Sequence, residues 1–313
     1  MRKVGRILLY LICFEIILQV LSLPFIRDYI VSQKDTEIRT DESEFAILCV
    51  GNSCTFGVGA PRNKSYPSQL YSFMKDTGKS CTLFNRGVPG ANSTQVAQIF
   101  EESLVRYRPD CAIVLMGAND IWNLVDVENF RAILKNRDIP LIIAYFFRYS
   151  KLYRLISNYY RWFFSYNAYK KTDYVSVSNH LLEKSINRKL IYNTEASENK
   201  WEGLTVLGEI LGKNIDRIED AGRNYGVQVF YLLYPSPNAN NTLLKDTLLN
   251  KGLRDRIIDT AKVFDSSDGL FSSDGFHPNQ KGYGLMAGTI FSFLEDNTFL
   301  DLEGEHTEHI KGK

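Results

Sequence analysis

Four short blocks of this sequence carry residues able to break an acyl bond. Gly51-Asn-Ser-Cys-Thr-Phe-Gly57-Val-Gly59 sets Ser53 among glycines, and Asp274-Gly-Phe-His277-Pro-Asn spaces a carboxylate and an imidazole three residues apart. Between them lie Asn85-Arg-Gly-Val-Pro-Gly90-Ala-Asn and Gly117-Ala-Asn119-Asp120. A serine hydroxyl is a poor nucleophile until a base takes its proton, so His277 must reach Ser53 for this set to work. An anionic partner must then fix the imidazole tautomer and stabilise the imidazolium, which suits Asp274. Attack on a carbonyl also needs donors aimed at the developing oxyanion. Singly, each block has a plainer reading: a serine beside glycines is usually a turn, and D-x-x-H is usually surface. Asp120 reads as a support for its loop, Trp122 and Asn123 as pocket lining or core, and Cys54 as a rival thiol. A phosphate loop is excluded because no Lys-Ser/Thr follows Gly57, and Gly57-Val-Gly59 lacks the third glycine of a dinucleotide fingerprint.

The elements that would carry these blocks alternate. Phe45–Val50, Cys81–Phe84, Cys111–Met116 and Val227–Tyr234 are short continuous apolar runs, the pattern of buried parallel strands, with a weaker run at Ala261–Phe264. Helical stretches separate them, including Ser65–Asp76 and the helically spaced Leu204, Leu207, Leu211, Ile215 and Ile218. Such alternation predicts an α/β fold of three layers with a mostly parallel sheet. In open sheets of that kind, sites form beyond the carboxyl ends of the strands, where the first three blocks fall.

The four blocks, in this order and each at its strand end or near the C-terminus, resemble those of the SGNH (GDSL-type) hydrolases. The resemblance runs from about Phe45 to the last helix near Leu294. It implies the family's three-layer, flavodoxin-like fold, Ser53 as nucleophile, and Asp274 and His277 as its activating pair. It also implies an oxyanion hole made of the Ser53 and Gly90 backbone N–H groups and the Asn119 side-chain amide, with Gly87 the alternative glycine. No cofactor or metal is implied. One position departs: Asn52 stands where the family carries aspartate before the serine. That aspartate supports the turn and is not the triad acid, and asparagine keeps an acceptor oxygen for the same purpose.

Composition bounds the remainder. With 313 residues, 44% hydrophobic and 23% charged, the chain can bury a sizeable core, and a net charge of +1 gives no bias towards nucleic acid. The five cysteines form no C-x-x-C pair or disulfide framework, and Cys13, Cys49 and Cys111 read as small buried hydrophobes. Arg2, Lys3 and Arg6 precede an apolar run from Ile7 to Ile26, just the roughly 20 residues that a membrane span needs. The basic flank predicts an uncleaved, cytoplasm-facing signal anchor, with the catalytic domain outside the cytoplasmic membrane of a bacterial cell. A cleaved signal peptide has the same order, but no small-x-small site follows. Glu15 and Gln19 interrupt the run. The expected organisation is an anchor over 1–30, a linker over 31–44, a hydrolase domain over 45–300 and a polar tail over 301–313. An aromatic-rich insertion, about 127–200, includes a possible amphipathic helix through Leu152, Ile156, Tyr159, Phe163 and Tyr166. The expected activity is hydrolysis of a small acyl ester on an envelope glycan or a lipid. O-acyl transfer by the same triad, or a non-catalytic binding role, are the alternatives.

Overall fold

The structure, a computed structural model, describes residues 2–32, 37–38, 45–120, 123–124, 126–127, 139–147, 149–153, 155–156, 202–235, 239–264 and 269–297. Two compact units divide the chain: Met1–Asp35 with Ile121–Leu207, and Thr36–Asp120 with Gly208–Lys313. Ser53, Gly90, Asn119, Asp274 and His277 belong to the second; Asn123 belongs to the first, and Trp122 lies outside the described residues.

That unit is built on a six-stranded sheet in the order β1-β3-β2-β4-β5-β6. The strands are β1 (Glu37–Ile38), β2 (Ala46–Gly51), β3 (Thr82–Gly87), β4 (Cys111–Leu115), β5 (Gln228–Leu232) and β6 (Ile257–Ile258). β2 to β6 run parallel, and β1 joins β3 antiparallel. The interior strands are apolar on both faces, so alternate residues enter two cores. Ile47, Cys49, Ile113 and Leu115 face one side, with α3 (Tyr66–Asp76) and α9 (Gln280–Asp296); Leu48, Val50, Ala112 and Val114 face the other, with α4 (Ser93–Tyr107), α6 (Glu202–Tyr225) and α7 (Ala239–Asn250). The result is the expected three-layer α/β fold. Ala261–Phe264, read from sequence as a weak strand, is instead the short helix α8, and Ile257–Ile258 supply the edge strand. Two residues are too few for a period to declare itself.

Polar side chains set the helix starts. Ser65 caps α3 by accepting from Ser68 N–H at 3.4 Å, and Asn92 with Gln95 forms a capping box at the start of α4. β2 ends level with β3 and β4, with Gly51 opposite Gly87 on one side and Leu115 on the other. Between β2 and α3 lies the four-residue helix α2 (Ser53–Phe56).

In the first unit the apolar run lies within α1 (Arg2–Ser32). Among the described residues no helix is long and apolar enough to cross a membrane. This overturns the expected signal anchor, the membrane as a partner, and the single-pass, extracytoplasmic placement built on them. The polar interruption of the run has a structural use. Glu15 accepts hydrogen bonds from Gln19 Nε2 at 2.6 Å, Ser150 Oγ at 3.0 Å, and the Lys151 and Leu152 N–H groups, each at 2.7 Å. Burial pulls the Glu15 carboxyl upward, but these donors outweigh it and hold the group below its ordinary value. An ionised carboxylate at mid-run costs about 2.5–3.5 kcal/mol on insertion scales. Cys13 is exposed on the same helix rather than buried, whereas Cys49 and Cys111 are buried as expected. Ile139–Phe146 forms the eight-residue helix α5. Of the expected amphipathic helix, Tyr159, Phe163 and Tyr166 lie outside the described residues.

Gly87 fixes how closely α2 approaches β3. A Cβ there would lie 2.1 Å from Phe56 N and 2.6 Å from Phe56 Cα, backbone atoms that cannot rotate away. Gly87→Ala should destabilise the protein by at least about 1–3 kcal/mol, the cost of overpacking, measured as a lower urea midpoint. A midpoint equal to wild type would contradict this close approach.

Candidate active site

Ser53 stands at the first position of α2, two residues beyond the end of β2. Asn52 is the N-cap, and its Oδ1 accepts from Cys54 N–H at 3.1 Å. This leaves Ser53 half-buried, with its Oγ 2.8 Å from His277 Nε2. His277 Nδ1 lies 2.6 Å from Asp274 Oδ2. The other oxygen, Oδ1, accepts from Ser272 Oγ at 2.7 Å and from the Phe276 and His277 N–H groups at 2.9 and 3.0 Å. Burial alone would raise the Asp274 carboxyl, but the His277 side chain and the three Oδ1 donors hold it well below the usual carboxylate range. An ionised carboxylate only accepts, so Nδ1 carries the imidazole proton and Nε2 presents its lone pair to Ser53.

The loop bearing this pair is closed on itself. Ser272 N–H donates to the His277 carbonyl at 2.8 Å, and Phe271 bridges Pro278. Asn279 caps α9 while its Nδ2 holds the Gly269 and Phe271 carbonyls at 2.7 and 3.1 Å. Gly59 backs the histidine: a Cβ there would come within 2.9 Å of His277 Cβ and 2.7 Å of the Pro278 carbonyl oxygen.

The second and third blocks meet each other. Asn119 Nδ2 donates to the Ala91 carbonyl at 2.8 Å, immediately after Gly90, which sits in the left-handed region at φ 78°. Gly87, the other candidate glycine, gives its N–H to Asn85 Oδ1 at 2.9 Å. Cys54, the rival thiol, is buried, and burial, with the nearby Asp274 charge, pushes it up to about 12 against a bond with Tyr283. It is protonated at neutral pH and a poor nucleophile.

Several contributors carry no motif. Ser272 completes the donor set on Asp274. Tyr234, just beyond β5, places its hydroxyl against Asn52 Nδ2 in a buried contact. Asn241 holds the Tyr234 backbone at both polar atoms, accepting from its N–H at 2.7 Å and donating to its carbonyl at 2.8 Å. The departure at Asn52 thus has a use: one end of the amide caps α2 and the other donates to a phenol. A polar residue ending the apolar run Val227–Tyr234 was the available signal.

A family described as "GDSL-like Lipase/Acylhydrolase family" matches residues 49–285. No curated protein matches the chain. Among solved structures, a family 3 carbohydrate esterase from Clostridium thermocellum is similar at 18% identity and TM-score 0.47, over 82% of this chain and 97% of that one. The psychrotrophic esterase EstA from Pseudoalteromonas sp. is similar at 11% identity and TM-score 0.48, over 82% of this chain and 100% of that one. A lipase/acylhydrolase from Enterococcus faecalis is similar at 14% identity and TM-score 0.44, over 81% and 96%.

Tyr234→Phe keeps the ring and leaves the buried Asn52 amide without its acceptor. The expected loss of stability is about 1–3 kcal/mol, the cost of an unsatisfied buried donor, read by chemical denaturation. A change under about 0.5 kcal/mol, the range of ordinary surface substitutions, would mean that the contact carries no weight.

Proposed function

The chain belongs to the GDSL-like lipase/acylhydrolase family, a serine-type ester hydrolase, and from that premise we propose that it works through an acyl-enzyme on Ser53 activated by His277 and Asp274. The observation that carries this reading is the unbroken chain from Ser53 Oγ through His277 to Asp274, at 2.8 and 2.6 Å.

In the first half-reaction Ser53 Oγ attacks the ester carbonyl while His277 Nε2 takes its proton. Asp274 stabilises the imidazolium without taking a proton itself. The oxyanion is held by the Ser53 and Gly90 N–H groups and the Asn119 amide, each such donor contributing about 2.7–4 kcal/mol of barrier lowering. His277 then protonates the departing alkoxide. Water, deprotonated by the same Nε2, attacks the acyl-enzyme and releases the acid. Asp274 is ionised at any pH above its depressed value, so loss of rate between about pH 4 and 7 reports another group than this carboxylate.

The substrate proposed is an O-acyl ester carried by a glycan or a lipid. Two exposed apolar side chains support contact with an acyl group: Phe276 precedes His277, and Val88 follows β3, where its N–H donates to the Gly51 carbonyl at 2.9 Å. Residues 45–300 are assigned to the hydrolase domain, with 127–200 as its insertion.

Ser53→Ala should lower turnover of p-nitrophenyl acetate by at least about 10³-fold with an unchanged melting curve. Wild-type turnover by the variant would remove Ser53 from its role. Profiling p-nitrophenyl esters of increasing chain length separates a short O-acyl substrate from a lipid. Faster product formation on adding a polyol acceptor, with transfer to it, would favour acyl transfer over hydrolysis.

A further inference from the structure

Asp120 is a buried carboxylate for which the triad has no use. It is 5% exposed, its Oδ1 accepts from Ser93 N–H at 2.6 Å, and its Oδ2 has no hydrogen-bond partner. Ser93 opens α4, and its own hydroxyl accepts from Asn214 Nδ2 at 2.8 Å. The neighbouring Asn119 reaches the same segment, through its bond to the Ala91 carbonyl. Two consecutive residues of the β4 loop therefore grip residues 91 and 93, just after Gly90. Rotation of the Gly90–Asn92 turn would have to break both.

We propose that Asp120 is a positioning residue, whose grip on the Ser93 N–H holds the Gly90 donor in register with Asn119. This rests on the reading of Gly90 and Asn119 as oxyanion donors. Burial pushes the Asp120 carboxyl up to about 6, against the pull of the Ser93 hydroxyl and N–H. The Tyr234 phenol is a titratable neighbour, and among the described residues no ion pair involves Asp120. With a folded value raised above the unfolded one, near 3.9, the ionised form favours unfolding, and stability falls as pH rises from about 4 to 6.

The donor in this contact can be removed without touching Asp120. Proline is favoured at the first position of a helix and lacks an N–H, and Asn92 already has the extended backbone that a residue before proline requires, at φ −84° and ψ 176°. Ser93→Pro removes N–H and hydroxyl; Ser93→Ala removes the hydroxyl alone. On p-nitrophenyl acetate, Ser93→Pro and Asp120→Ala should each lower kcat at least about tenfold with KM within about threefold, as for an interaction made in the transition state. Ser93→Ala should stay within about threefold of wild type. Asp120→Asn, which keeps an acceptor for the N–H, should recover most of the rate lost in Asp120→Ala. Equal kcat for Ser93→Pro and Ser93→Ala would overturn the proposal, as would Asp120→Asn as slow as Asp120→Ala. If Asp120→Ala fails to fold, the two Ser93 variants decide alone. Activity of the wild type is measured in the same series, so an inactive wild type fails the ester-hydrolase reading and not this one.

Discussion

A proton can pass from Ser53 to His277 only while their heavy atoms stay within hydrogen-bond reach, and 224 residues of chain separate the two. No local propensity can supply such proximity. It comes from the sheet, whose strands β2, β3 and β4 end level at Gly51, Gly87 and Leu115, and from α9, which packs on the same face as α3. Asn279 couples the two scales: the side chain that starts α9 also closes the loop carrying Asp274 and His277. Drawing that loop back by about 1 Å along the 2.8 Å bond to Ser53 would take the pair out of hydrogen-bond reach.

Among the described residues the polar interior around the site is almost fully partnered, and several of its bonds run from one block to another element. Asn52 meets Tyr234 just beyond β5, Asn119 meets Ala91, and Asp120 meets Ser93. Each buried amide or carboxylate left unpaired would cost about 1–3 kcal/mol. The same bonds that satisfy these groups therefore tie the ends of β2 and β5 to each other, and those of β3 and β4. The uncompensated Asp120 Oδ2 marks where this economy is broken.

Much of this arrangement is legible in the sequence, for identifiable reasons. Continuous apolar runs such as Cys111–Met116 reveal strands because a sheet covered on both faces leaves no polar side to confuse the pattern. The helical stretch Ser65–Asp76 likewise matches α3, Tyr66–Asp76 with Ser65 as its cap. The failures have equally specific causes. Ala261–Phe264 has the composition of a strand, but its neighbours Ile257–Ile258 take the edge of the sheet. The Ile7–Ile26 run has the length of a span, whereas no described helix is long and apolar enough to cross a membrane, and Glu15 within the run accepts from donors at 150–152. Tyr234 and Ser272 are ordinary residues in sequence, and only the distant partner that each meets gives it a role.

The central claim, that His277 and Asp274 make Ser53 alone nucleophilic, is tested most directly by covalent labelling. The purified full-length protein is treated with a fluorophosphonate, digested, and mapped by mass spectrometry, alongside His277→Ala. The account predicts one phosphonyl adduct, on Ser53, and none within the same time on the His277 variant. An adduct on another residue, or undiminished labelling of Ser53 without the imidazole, would contradict it.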